Sequence, residues 1–134
     1  MAQLSTLGVM EITANIRLKS EAVEICFEWL GFDDDDSFAD FHITVAESGK
    51  TQRFDFGQCV VWGVRKPMRF FADTTQATVG GGFRHPDIRY YDLHRSGDDY
   101  RLVIRFEGSG LHEEFHIHQP SVYLADEFLK TYDA

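Results

Sequence analysis

The chain has 134 residues, 43% hydrophobic and 26% charged, a globular balance that excludes a disordered chain and suits one domain with its own core. Net charge is −9, from 22 acidic and 13 basic side chains. That sign excludes a protein that grips the phosphate backbone of nucleic acid.

The first ten residues carry neither a basic n-region nor an apolar h-region, so no secretory signal is read. No apolar run approaches the ~20 residues that span a bilayer, and no membrane association is expected. Cys26 and Cys59 form no CxxC pair and sit in apolar runs. They read as two buried free thiols in a reducing compartment, hence a cytoplasmic protein. Aromatics make up 14% of the chain, with twelve Phe, which favours a sheet-rich core.

Met10 to Lys19 alternates, with Ile12, Ala14, Ile16 and Leu18 on one side and charged or polar residues on the other. Period 2 predicts a half-buried strand. Ser20-Glu21 turns the chain into a second strand, with Val23, Ile25, Phe27 and Trp29 on its apolar side. A helix competes there on propensity, but the β-branched and aromatic content decides for strand. The four aspartates Asp33 to Asp36 repel one another and predict an exposed loop. Ser37 to Asp40 fits one helical turn. Phe41 to Ala46 is a third strand, Glu47 to Lys50 a turn, and Gln52 to Phe56 a short fourth strand.

Gly57 to Thr74 is ambiguous. Val60, Val64, Met68 and Phe71 have helical spacing, but Gly63 and Pro67 interrupt it. The expectation is a helical segment broken or kinked near Pro67, with a short helix from Pro67 to Asp73. A strand from Cys59 to Val64 is the alternative. Thr74 to Pro86, with Gly80, Gly81 and Gly82, reads as a loop. Three strands follow at Arg89 to His94, Tyr100 to Phe106 and Leu111 to His118, separated by Gly/Asp/Ser turn chemistry. Ala125, Phe128, Leu129 and Tyr132 lie at i, i+3, i+4 and i+7, which predicts a helix from Pro120 to about Tyr132. Residues 1–134 form one α+β domain in this reading. Its single antiparallel β-sheet of six or seven strands, a meander of hairpins, is covered on one face by the C-terminal helix and the mid-chain helical segment.

The last of the three strands alternates His112, Glu114, His116 and His118 with Leu111, Glu113, Phe115 and Ile117. The apolar side goes to the core, so the histidines face out. His112 and His116 then stand roughly 13 Å apart, because a strand rises ~3.3 Å per residue. Three histidines cannot share one mononuclear metal site, which leaves His116 and His118 as the weak metal candidates. Pairing Phe106 with Leu111 sets Arg105 opposite His112, Val103 opposite Glu114 and Arg101 opposite His116. This is a cross-strand charge lattice, and histidine titration near neutrality would make it pH-sensitive.

Gly80 to His85 is a second candidate, where Arg84 and His85 beside three glycines could hold an anion or small ligand. Neither the P-loop nor the dinucleotide pattern is present. Asp33 to Asp40 fails the EF-hand order, because Phe38 stands where glycine is needed. No pattern for nucleophilic or acid/base catalysis appears, and Asp92 with His94 share one strand face as a surface pair. The ligand-binding candidates are therefore Arg84, His85, Arg101, Arg105, Glu114 and His116, with no catalytic residue and no cofactor. The leading expectation is a non-catalytic, inhibitor- or immunity-type module that binds a basic protein partner, drawn by the acid excess. A small-ligand or enzymatic site near Gly80 to His85 and a metal-binding module at His116 and His118 are the alternatives. The charged face could also serve as a homo-oligomer seam.

Overall fold

A computed structural model of the chain describes residues 14–30, 38–83 and 88–124. Within these lie β1 (Ala14–Lys19), β2 (Val23–Leu30), β3 (Phe38–Glu47), β4 (Lys50–Val60), α1 (Val61–Ala72), β5 (Thr78–Phe83), β6 (Arg89–Ser96), β7 (Asp99–Phe106), β8 (Leu111–His118) and β9 (Ser121–Leu124). The strands form two antiparallel sheets. One has the order β4-β3-β2-β1-β9, the other β5-β6-β7-β8. Two meanders thus follow one another, and β9 returns to the first sheet beside β1.

Alternation decides which side of each strand is buried. In the first sheet Ile16, Leu18, Ile25, Phe27, Trp29, Phe41, Ile43 and Val45 point inward. In the second, Val79, Tyr91, Leu93, Leu102, Ile104, Phe115 and Ile117 do the same. All belong to one hydrophobic cluster. Ring contacts cross between the sheets: Phe41 stands 5.5 Å from both Tyr91 and Phe83, Phe27 lies 5.8 Å from Tyr91, and Phe54 lies 5.8 Å from Phe115. Pairs at such spacings add to the area they bury.

The turns follow local chemistry. Ser48 and Gly49 both take positive φ, 54° and 76°, between the paired residues Glu47 and Lys50. A two-residue connection with both central φ positive matches the twist of a hairpin. In β4 the register shifts where Phe41 faces Gly57 and His42 faces Asp55. Gly57, at φ 83°, supplies the left-handed backbone of that bulge, and both Phe54 and Phe56 reach the core.

Helix α1 closes one end of the core. Met68 and Phe70 are buried, and the Phe71 ring lies 5.8 Å from Tyr100 of β7. Pro67 sits inside the helix and donates no hydrogen bond to the Gly63 carbonyl. Burial of the Pro67, Met68 and Phe70 side offsets that loss. Past its C-terminus, Arg95 Nη2 donates to the carbonyls of Phe70, Asp73 and Gln76 at 3.0, 2.8 and 2.7 Å, and its guanidinium lies 4.0 Å over the Phe70 ring. A cation there satisfies carbonyls that the helix leaves open and opposes its dipole. Arg89 ties the sheets together from β6: it donates to the Asp55 carbonyl of β4 and lies 4.7 Å over the Phe106 ring.

Five expectations are corrected. The fold is two packed sheets of five and four strands with one short helix, not one sheet of six or seven strands covered by two helices. An alternating strand reports that one face is buried, and a second sheet buries it as well as a helix does. Ser121 to Leu124 is strand β9, paired to β1 from Ser121↔Lys19 to Leu124↔Ile16, not the start of a helix; residues 125–134 of that expected helix lie outside the described residues. Thr78 to Phe83 is strand β5, not loop. Phe38 to Asp40 belongs to β3 instead of a helical turn, and Val61 to Ala72 is one helix with Pro67 inside it, not two pieces.

The aromatic seam makes a measurable demand. Phe41 is 2% exposed and touches rings of both sheets. Phe41→Ala should destabilise the protein by about 3–5 kcal/mol in urea unfolding, the cost of a large aromatic cavity.

Candidate functional site

The outer face of the second sheet gathers most of the expected site. The β7–β8 register is the one the alternation predicts: Arg105↔His112, Val103↔Glu114 and Arg101↔His116. Extending it through β6 and β5 gives three rows. One runs Gly82, Tyr90, Arg105, His112; the next Gly80, Asp92, Val103, Glu114; the third Thr78, His94, Arg101, His116. Arg101, Arg105, Glu114 and His116 are therefore neighbours on one surface. Arg84 and His85 lie outside the described residues, as does the Asp33 to Asp36 run.

Glu114 is the hub. Its carboxylate lies 3.4 Å from Arg101 Nη1, 3.6 Å from His112 Nε2 and 3.8 Å from His116 Nε2. His112 first, and then Arg101, hold the Glu114 carboxyl below its ordinary range. At 3.6 Å His112 stands at the outer limit of hydrogen bonding, so its hold is loose. Arg105 reaches Asp92 at 3.9 Å and lies 4.8 Å over the Tyr90 ring. Beyond the rows, His118 Nδ1 meets Asp99 at 2.5 Å. The surface is open: the His116 and His118 side chains are 72% and 75% exposed.

The glycines of β5 have a local explanation. A Cβ on Gly80 would overlap the Tyr91 carbonyl and the Asp92 carboxylate, and one on Gly82 would meet the Tyr90 ring at 2.9 Å. Gly80 and Gly82 thus make room for Asp92 and Tyr90 in the lattice. Gly80 to Phe83 is part of a paired strand, while the rest of the Gly80 to His85 candidate lies outside the described residues. For a metal, His116 and His118 each face a different carboxylate, and among the described residues no three His, Cys, Asp or Glu converge on one point. Asp92 and His94 do share a strand face, Asp92 facing Val103 and His94 facing Arg101.

One pair escaped the sequence reading. On the outer face of the first sheet, His42 Nε2 lies 2.7 Å from Glu28 Oε1, directly across β2 and β3. The His42 side chain is 5% exposed and that of Glu28 32%. Both positions fall on the polar side of their strands, and a β2–β3 hairpin centred on the aspartate run would have paired them. Cys26 occupies the same face as a buried free thiol. Burial, with Glu28 adding, pushes that thiol up against the pull of Arg17. A protonated thiol is a poor nucleophile, so the constellation reads as a buried polar pair, not a catalytic set.

No family model, curated protein or solved structure matches this chain. Among the described residues, no helix is long and apolar enough to cross a membrane.

Two outcomes are expected. His112→Ala should move the Glu114 titration upward, toward the ordinary glutamate range, in carboxyl NMR. Because the folded carboxyl sits low, its stabilisation is complete above that range and is lost as pH falls through the lowered value. Glu28→Ala removes the partner of buried His42 and should cost about 1–3 kcal/mol in urea unfolding.

Proposed function

We propose that the protein works by docking a basic protein partner, without catalysis, on the outer face of its second sheet. The observation that supports this reading most is the openness of the charged lattice. Tyr90, Asp92, Arg101, Arg105, Glu114 and His116 spread across three strands, and the charged side chains among them are 41–72% exposed. A partner could meet them all at once. Their mutual contacts are long, 3.4–3.9 Å between charged atoms. Exposed ion pairs of this kind contribute about 0–1 kcal/mol each, so exchanging them for contacts to a partner costs little.

The composition of the face suits docking. Tyr and Arg are among the side chains that anchor interfaces, and strands hold them with little freedom to lose. Asp92, Asp99 and Glu114 offer carboxylates to a cationic partner. The chain's charge of −9 would steer such a partner from a distance and speed encounter at low salt. This is the behaviour expected of an inhibitor or immunity-type module, and it fits a cytoplasmic setting in which Cys26 stays a thiol.

The test is a pull-down at low and high salt with wild-type bait and an Asp92→Lys/Glu114→Lys double variant. A basic protein should be retained by the wild type at low salt, released at high salt and not retained by the variant. Recovery of no partner at low salt, or equal recovery by the variant, overturns the reading.

A further inference from the structure

The second sheet has an open edge at β5. Among the described residues no strand pairs with the far side of β5. Its parity is fixed by one bond: Arg95 N–H donates to the Ala77 carbonyl at 2.8 Å. Ala77 therefore turns its backbone toward β6, and such positions alternate along an antiparallel ladder. Thr78, Gly80 and Gly82 then point their N–H and C=O groups away from β6, toward the open edge.

Thr78 and Gly80 also line a cleft of about 400 Å3, together with Lys66, Arg69, Gln76 and Val79. Lys66 and Arg69 lie three positions apart on the exposed side of α1, which brings them onto one helix face. Among the described residues no carboxylate lines the cleft, and neither cation enters an ion pair. In a chain of net charge −9, this is a local reversal of sign beside a row of open backbone groups. Two acids stand nearby and both are engaged: Asp92 beside Gly80 faces Arg105, and the Asp73 carboxylate accepts from Thr75.

We propose that this cleft binds an extended acidic peptide segment of a partner protein, added as a short strand to the β5 edge. The outward N–H and C=O groups of Thr78 and Gly80 extend the ladder to the segment. Lys66 and Arg69 take up its carboxylates. Gly80, with no side chain, lets the incoming backbone approach closely. Arg95 holds the parts in place beforehand, because its contacts to Phe70, Asp73 and Gln76 fix the end of α1 beside β5. Thr78 and Gly80 end the rows that hold Arg101 and Glu114, but the site lies at the β5 edge and stands on its own observation, the cations of α1 beside open backbone groups.

The experiment is fluorescence anisotropy on the full chain at low ionic strength. The probe is a fluorescein-labelled peptide that alternates Glu and Val. Two control peptides carry Lys for Glu, or N-methyl groups on alternate amides. The Glu peptide should bind, the Lys peptide should not, and N-methylation should weaken binding about tenfold, equivalent to ~1.4 kcal/mol. A Lys66→Glu/Arg69→Glu variant should lose about tenfold or more, with an unchanged circular dichroism spectrum. Should that variant not fold, Lys66→Gln and the N-methylated peptide on the wild type decide. No binding of the Glu peptide, equal binding of the Lys peptide, or no effect of the substitutions overturns the proposal. Equal binding of the N-methylated peptide overturns it too, by reducing the cleft to a simple anion site.

Discussion

Two sheets, each apolar on one face, must cover each other. That single constraint organises the protein. Phe27, Trp29 and Phe41 on one side and Phe83 and Tyr91 on the other meet in one aromatic seam. A sheet with one apolar face cannot leave it in water. Here the second meander supplies the cover, and the helix is left to plug one end. Its position depends on Arg95, whose guanidinium gathers three carbonyls and stacks on Phe70.

Sheet-on-sheet packing leaves the polar side of every strand facing outward, so the molecule has two outer sheet faces of different character. The face of the second sheet is an exposed lattice whose contacts around Glu114 and Asp92 are long, 3.4–3.9 Å, with the close His118–Asp99 contact at its margin. The face of the first sheet holds the close Glu28–His42 pair and the thiol of Cys26. A buried histidine bonded to a carboxylate is fixed by its surroundings, and breaking the pair strands a polar group. An exposed lattice is adaptable, because water competes for each of its contacts. This difference, not the count of charges, favours the second face as a place to meet a partner.

The edges follow from the same architecture. Among the described residues the two sheets have four edge strands, β4, β9, β5 and β8. Edges attract further strands unless guarded. β8 carries charged and histidine side chains along its outer side. β5 instead carries three glycines, with the cations of α1 beside it. A guarded edge and an unguarded one in the same sheet give the molecule a polarity that its composition does not show.

Read alone, the sequence determined the strands with clean period-2 patterns. Ile16 and Leu18, the odd positions of Val23 to Trp29, and Arg89 to His118 all face as alternation requires. The register of β7 on β8, and with it the grouping of Arg101, Arg105, Glu114 and His116, was legible because a short turn fixes the offset of a hairpin. Only the tertiary structure decided the rest. Val122 and Leu124 sit in a pattern that helix and strand share over four residues, and β1's open side made them a strand. Gly80 and Gly82 look like loop residues until Asp92 and Tyr90 claim the space a side chain would fill. The Glu28–His42 pair is distant in sequence, as is the grouping of Lys66 and Arg69 with Thr78. Alternation says that a face is buried, but what buries it is a non-local question, settled by packing between parts of the chain that no local pattern connects.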